Sequence, residues 1–193
     1  MATDTLCADG VIVYPTDSCY GLGCALGSNS ASARIRAIRR MAKKDYLTLI
    51  CSDLSELSTF ARVDKACSRL IKSLTPGPYT FILQATRELP RRLQDPKRKT
   101  IGLRIPDHVV TKALLQALET PMLSTTAQDV STNMLLSDPD AIEAHFGQHI
   151  DVLLDAGAGG LLPTTVIDLS LGDPVVVRRG AGAVDHLIDL QGT

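Results

Sequence analysis

Val11-Ile12-Val13-Tyr14-Pro15-Thr16-Asp17-Ser18-Cys19-Tyr20-Gly21-Leu22-Gly23 carries a short apolar run straight into a polar segment closed by glycines. Val11 to Tyr14 are β-branched and aromatic, the composition of a strand covered on both faces. Pro15 has no N–H to donate and ends the ladder. A hydroxyl, a carboxylate, a second hydroxyl and a phenol follow (Thr16, Asp17, Ser18, Tyr20), and Gly21 and Gly23 let the backbone turn tightly. Polar turns at the ends of buried strands are where α/β proteins hold ligands. The same residues also suit an ordinary loop, and local chemistry alone does not separate the two.

Outward from this segment, strand and helix alternate with short links. Asn29 or Ser30 is placed to cap a helix running to about Met41, since a short side-chain oxygen there accepts an orphan backbone N–H. Leu47 to Cys51 reads as strand. Asp53 caps a short helix to about Phe60, and Asp64 another to Leu74 with Ala66, Leu70, Ile71 and Leu74 as its buried stripe. Thr75 to Pro78 breaks it. Strands follow at Tyr79 to Ala85 and Thr100 to Ile105, then a helix from its cap Asp107 to about Leu118, then a strand from Met122 to Thr125 that runs into Thr126-Ala127-Gln128. Pro139, tolerated in a first turn, starts a further helix after Asp138. Val152 to Leu154, Thr165 to Leu169 and Val175 to Arg178 are three more strands. The link Ser170 to Pro174 is too short for a parallel crossover, so a mixed sheet is expected. Gly157 to Gly160 lacks the Gly-x-x-x-x-Gly-Lys-Ser/Thr pattern of a phosphate loop and reads as a flexible connection.

With 193 residues and 45% hydrophobic content, the chain suits one compact α/β domain over residues 1–193. No apolar run approaches the ~20 residues that span a bilayer. The N-terminus lacks a basic leader followed by a hydrophobic core, so a cytoplasmic protein independent of membranes is expected. Five cysteines without a CxxC pair suggest neither a disulfide framework nor zinc, and read as reduced, mostly buried thiols. His145 and His149 have metal-like spacing, but Gly147 weakens the helix that would align them, and no metal site is assigned. Net charge is -1, yet Arg34, Arg36, Arg39, Arg40, Lys43 and Lys44 stand together without an acid. On a helical wheel Ile35, Ile38 and Ala42 point one way and Arg36, Arg40 and Lys43 the other, with Arg39 at the boundary. That cationic face is either a solvated surface or a phosphate or RNA contact.

The opening stretch resembles the P-T-(D/E)-(S/T)-x-Y-G-L-G signature of the YrdC-like family, the threonylcarbamoyl-adenylate synthases and their relatives. Thr75-Pro76-Gly77-Pro78-Tyr79-Thr80 is similar to the family's PGPxT element and Thr100 to Pro106 to its IGxRxP element. Pro163-Thr164-Thr165-Val166-Ile167-Asp168 is similar to STVxD, and Val177-Arg178-Arg179-Gly180 to RxG, so the resemblance covers about the whole chain. Tyr46 to Tyr79 and Leu123-Ser124-Thr125 look most like the YciO branch. The resemblance implies an α/β fold, a twisted mixed parallel and antiparallel sheet flanked by helices. It also implies ATP with Mg2+, L-threonine and bicarbonate as ligands. The implied activity is a weak or altered synthesis of L-threonylcarbamoyladenylate and pyrophosphate, linked to tRNA modification.

In that chemistry a carbamoyl-threonine carboxylate attacks the α-phosphate of ATP, and arginine and magnesium neutralise the in-line oxygens. Arg104, ending a strand and held by Pro106, can fork onto a phosphate or carboxylate. Arg178 ends another strand with Gly180 close by. A surface ion pair is the other reading of each. By resemblance, Thr16 and Arg104 serve catalysis; Arg39, Arg104, Ser124, Thr126, Gln128 and Arg178 hold the nucleotide; Thr16, Tyr20 and Thr165 hold the amino-acid substrate. Hydroxyls at strand ends are also common turn formers.

Departures from the family pattern are specific. Synthases carry K-x-R-P at the end of the first helix, where this chain has Arg39-Arg40-Met41-Ala42 and keeps only the first cation. The family's asparagine and histidine align with Asp45 and Ile50, and a carboxylate there is expected to repel a triphosphate unless a metal bridges the two. Arg40, Lys43 and Lys44 are placed by the wheel toward solvent. The family's S-A-N becomes Thr126-Ala127-Gln128, which adds a methyl and a methylene. Only ten residues precede Val11, where relatives usually carry a strand and a helix, so a truncated start or an altered edge is expected. A reading from another class is a non-catalytic double-stranded RNA-binding module, in which the basic helix with Arg104, Arg178 and Arg179 follows A-form backbone.

Overall fold

The computed structural model describes residues 1–185; the rest of the expected 1–193 domain lies outside the described residues. The elements in chain order are α1 (Ala2–Cys7), β1 (Ile12–Tyr14), β2 (Gly21–Ala25), α2 (Asn29–Ile38), β3 (Thr48–Ile50), α3 (Leu54–Phe60), α4 (Lys65–Leu74) and β4 (Tyr79–Gln84). They continue with a 3-10 turn (Arg91–Leu93), β5 (Thr100–Arg104), α5 (Val109–Leu118), β6 (Met122–Thr126), α6 (Pro139–Phe146), β7 (Val152–Leu153), β8 (Thr165–Asp168) and β9 (Val175–Arg178). Among the described residues the strands form one nine-stranded sheet in the order β7-β1-β2-β6-β3-β5-β4-β8-β9. Pairs β1/β7, β3/β5 and β4/β8 are parallel and the others antiparallel, so the expected mixed sheet flanked by helices is what the chain forms. The short link after Asp168 does return β9 antiparallel to β8.

Because side chains alternate across a pleated sheet, the register divides each strand between two faces. Leu49, Leu123, Leu103, Phe81 and Ile167 lie on one face and merge with Ile35, Leu57, Ile71 and Phe146 of the helices into the larger core. The other face is treated unequally. Ile12, Tyr14, Ile50 and Met122 are roofed by Leu6 of α1 and by Leu114 and Leu115 of α5. Beyond that roof the same face carries Thr48, Thr80, Thr100, Gly102, Arg104, Ser124 and Thr126, which border an open cavity. Apolar residues on one side and hydroxyls on the other therefore specify a sheet with one dry face and one half-wet face.

Several local expectations are corrected. Gly21 to Gly23 is a strand and not the closing turn of the opening stretch, because the Tyr14 ring lies flat on it; a Cβ at Gly23 would come 2.8 Å from that ring. Helix α2 is capped by Ser28, whose Oγ accepts from Ala31 N at 3.2 Å, and stops at Ile38 instead of Met41. Arg40 then takes a positive φ of 45°, so the helical wheel does not apply beyond it. In α4 the buried positions are Cys67, Ile71 and Leu74, with Ala66 exposed. Asp107 does not cap α5, since its N–H is donated to Asp17 and its carboxylate pairs with Lys112; His108 takes the cap. Asp53 and Asp64 cap as expected, and Pro139 opens α6. Of the five cysteines, Cys19, Cys24, Cys51 and Cys67 are buried and Cys7 is exposed. The edge beside β1 is taken by β7, and the ten residues before Val11 hold helix α1, which packs over the sheet face against α5. No helix among the described residues is long and apolar enough to cross a membrane.

Candidate functional site

The open part of the sheet face forms the floor of a cavity of about 440 Å³. Its far side is built by the segment after β1, which folds back over the sheet. Thr111 donates to the Pro15 carbonyl at 2.5 Å, Asp107 N donates to Asp17 Oδ2 at 3.0 Å, and Arg104 reaches Thr16 and Asp17 from below. Thr16 Oγ1 organises the turn. It donates to the Cys19 carbonyl at 2.5 Å and accepts from the backbone N–H groups of Ser18 and Cys19 at 3.2 Å each. A second loop packs on top, where Gly160 touches the Ser18 backbone so closely that a Cβ would sit 2.0 Å from its carbonyl oxygen. The stretch read as a flexible connection is thus in close contact at Gly159, against the Tyr20 ring, and at Gly160, against Ser18, while Gly157 is open.

Arg104 is the central cation. It is 6% exposed, donates to Thr16 Oγ1 at 3.2 Å and to Asp17 Oδ1, and its Nε is buried with no partner among the described residues. The surface-pair reading of Arg104 gives way to a buried ion pair with an orphan donor at the cavity wall. Arg178 bends back on Thr164, donating to its carbonyl through Nε at 3.1 Å and through Nη2 at 2.9 Å, and to its hydroxyl at 3.2 Å. Partial burial lowers the Arg178 guanidinium from its ordinary value. Thr164 Oγ1 in turn shares a 2.9 Å hydrogen bond with Thr80.

Ser124 is held from both sides, since Tyr14 donates its phenol proton to Ser124 Oγ at 2.6 Å and Ser124 donates to the Leu22 carbonyl at 3.0 Å. One lone pair is left for a ligand. Burial pushes the Tyr14 phenol from 10.0 up to about 12. The unfolded chain therefore loses this proton first as pH rises, and the stability it contributes is complete below about pH 10 and lost through about pH 12. Cys24, pushed from 9.0 to about 12 by burial, adds to the same decline. Tyr14→Phe is expected to cost about 1 kcal/mol at pH 8, a deficit that shrinks above pH 10. Urea midpoints measured from pH 8 to 11.5 would show it, and a constant deficit would refute the assignment.

Six of the residues singled out from sequence border this one cavity: Thr16, Tyr20, Arg104, Ser124, Thr126 and Arg178. Three do not. Thr165 points into the dry face, 0% exposed, donating to the Gly182 carbonyl at 2.6 Å. Arg39 and Gln128 stand together beside the strand end, Arg39 donating to the Gln128 carbonyl at 2.6 Å and to Gln128 Oε1 at 2.5 Å. Tyr20 borders the cavity, but its hydroxyl donates to the Gly157 carbonyl at 2.7 Å and accepts from Ala156 N at 3.0 Å. Sequence reading missed Thr80, Thr164, Lys44 and Arg98, which also border the cavity. The Thr residues at alternate positions of the strands were the available signal. Arg98, ahead of β5, is turned onto the sheet by Asp168 at 2.6 Å and Ser170 at 2.7 Å.

The basic segment is not one cationic helical face. Arg34 pairs with Asp151 at 2.5 Å, and Arg36 donates to the carbonyls of Ala42 and Asp45 at 2.7 Å each. Asp45 Oδ2 accepts from Ala42 N at 2.8 Å, which closes this loop, and Asp45 does not border the cavity; Lys44 does. His145 lies 3.9 Å from Asp129 and edge-on to Phe146.

A model of the Sua5/YciO/YrdC family, described as "Telomere recombination", matches residues 4–180. YciO of Escherichia coli (strain K12) is 50% identical over 175 residues, 91% of this chain and 85% of that protein. The crystal structure of E. coli YciO superposes with a TM-score of 0.91 at 48% identity, over 95% of this chain and 89% of that one. The threonylcarbamoyl-AMP synthase of Halorhodospira halophila (strain DSM 244 / SL1) is 31% identical over 161 residues, 82% of this chain and 83% of that protein. P. abyssi Sua5, solved in complex with L-threonine, shares the fold with a TM-score of 0.89 at 24% identity, over 99% of this chain and 56% of that one. With the family model spanning residues 4–180 and relatives at 50% and 31% identity, this chain belongs to the Sua5/YciO/YrdC family.

Proposed function

We propose that the cavity binds an adenine nucleotide beside a small amino-acid carboxylate, and that the protein is a weak or altered L-threonylcarbamoyladenylate synthase serving tRNA modification. The observation that carries this reading is the buried Arg104 guanidinium at the cavity wall, whose Nε lacks a partner while Thr16 and Asp17 hold its other end. Arg104 borders the cavity, and hydrogen bonds to a charged group are worth roughly 1.5–3 kcal/mol, which favours an anion there. The relatives named threonylcarbamoyl-AMP synthases support the choice of anion.

In the proposed reaction, the amine of L-threonine takes up bicarbonate with loss of water. The new carboxylate oxygen then bonds to the α-phosphorus of ATP, and the bond to the departing pyrophosphate oxygen breaks. Arg104 neutralises the carboxylate or the α-phosphate oxygens, and Ser124 and Thr126 orient the nucleotide with hydroxyl groups. Arg178 keeps Thr164 and Thr80 in place on the opposite wall. Magnesium enters as part of the substrate Mg-ATP.

Incubation with ATP, labelled bicarbonate and L-threonine is expected to yield the mixed anhydride and pyrophosphate in equal amounts. Arg178→Ala is expected to lower that yield roughly tenfold, the worth of about 1.4 kcal/mol. Absence of threonine- and bicarbonate-dependent pyrophosphate from the parent protein would refute the activity. The RNA-binding reading gains no support, because Arg34, Arg36 and Arg39 are engaged with the protein's own groups.

A further inference from the structure

Strands β3 and β5 are parallel neighbours, yet the helices that follow them lie on opposite faces of the sheet. Helix α3 packs on the dry face through Leu57, and α5 on the other face through Leu114 and Leu115. Parallel strands whose following helices part in this way leave a crevice beyond their carboxyl ends, the place where open α/β sheets hold ligands. A groove of about 950 Å³ lies there, bordered by the residues that follow β3, by Ile105 after β5 and by α5, and it shares no lining residue with the cavity of Arg104. Leu54, Ile105 and Leu115 give it an apolar floor, the last two nearly buried. Its walls are charged. Asp53 and Glu56 stand on the α3 side and Glu119 on the α5 side, with Lys72 and Lys112 also at the rim. Lys112 is already met by Asp107 at 2.5 Å, which leaves Lys72 against three carboxylates among the described residues. Asp53 accepts from Glu56 N through Oδ1 at 2.8 Å and Glu56 from Ser52 N through Oε2 at 2.6 Å, so each keeps its other oxygen as an acceptor. Their charge is felt inside the fold, where the Cys51 thiol at the end of β3 is pushed well up, by burial first and then by Glu56 and Asp53.

A peptide cannot join the sheet here as a further strand, because β3 is already paired by β5 and β6, and β5 by β3 and β4. The ligand that fits is small, cationic at both ends to meet carboxylates on opposite walls, and aliphatic between them to lie on the apolar floor. We propose that this groove is a binding site for a linear aliphatic polyamine, whose ammonium groups pair with Asp53 and Glu56 on one wall and with Glu119 on the other. The site is independent of the nucleotide reading of the Arg104 cavity.

Titration calorimetry of the full chain with spermidine, in about 0.1 M salt to screen diffuse charge, tests this. Spermidine is expected to bind as a single equivalent, and butylamine, with one ammonium on a similar aliphatic stem, about tenfold more weakly, since only a multiply charged ligand engages both walls. Asp53→Asn keeps the α3 cap, because asparagine caps as well as aspartate, and it and Glu119→Gln are each expected to weaken spermidine about threefold to fivefold, the upper range for an exposed ion pair. Combined, they are expected to cost about tenfold, since the two walls act separately. Lys72→Gln removes the opposing cation and is expected to tighten binding about threefold, a gain that a damaged fold would not give. Glu143→Gln, which removes one exposed carboxylate from α6 outside the groove, is expected to leave affinity unchanged. Absence of spermidine binding to the folded parent would overturn the site. So would butylamine binding as tightly as spermidine, a loss in Glu143→Gln equal to that in Glu119→Gln, or weaker binding in Lys72→Gln.

Discussion

Arg104→Met is expected to abolish pyrophosphate release and to weaken nucleotide binding by roughly 100-fold, which matches the 1.5–3 kcal/mol carried by hydrogen bonds to charged groups. Methionine keeps most of the packing volume but removes every donor. The same change leaves Asp17 as a buried carboxylate without its cation, its side chain only 11% exposed, while Asp17 still accepts from Asp107 N. Breaking a buried pair by removing one partner costs about 3–5 kcal/mol, so a lowered urea midpoint is expected as well. Adding Asp17→Asn separates the two effects. The double variant is expected to regain most of the stability, because the stranded charge is gone, and none of the binding. A double variant that recovers nucleotide affinity along with stability would show that Arg104 only supports the fold.

Gly160→Ala is expected to cost about 1–3 kcal/mol or more through overpacking and to remove ligand binding altogether. Its Cβ would meet the Ser18 carbonyl oxygen at 2.0 Å and the carbonyl carbon at 3.0 Å, and no rotamer change relieves a clash between two backbones. The Ser18 segment must move, carrying with it the Thr16 turn that anchors Arg104. Gly157→Ala is the control. Nothing lies within 4 Å of its Cβ position, but its φ of +77° makes alanine strained, for about 1–2 kcal/mol, with binding retained. Melting temperatures and calorimetric titration of the two variants distinguish a contact-bearing loop from a tether. Equal losses of binding would refute the close-packing explanation.

Strand order and site chemistry were legible to different degrees. Strands β3, β4, β5, β6, β8 and β9 were readable as short runs of apolar, aromatic and β-branched residues, and the caps Asp53 and Asp64 as carboxylates before helices, a signal that misled at Asp107, which pairs with Lys112 instead. Strand β2 was not readable. Glycine is a poor strand residue by itself, and Gly21 to Gly23 is held extended by pairing with β1 and β6 on its two sides and by the Tyr14 ring that covers it. The helix end at Ile38 escaped the wheel for a similar reason: Arg36 spends its donors on carbonyls of the following loop, a gain invisible to periodicity.

The amino-acid order alone determined the family, through its short motifs, and the mixed sheet, through a link too short for a crossover. That Arg104, Thr16, Ser124, Thr126 and Arg178 belong to one site was implied only by the resemblance, which grouped Thr165, Arg39 and Gln128 with them as well. Which hydroxyls face the cavity, which are spent on backbone, and what each cation bonds depended on packing between segments more than 80 residues apart, such as Arg104 with Thr16 and Arg39 with Gln128. A donor has a fixed number of protons, and only the assembled neighbours settle where each one goes.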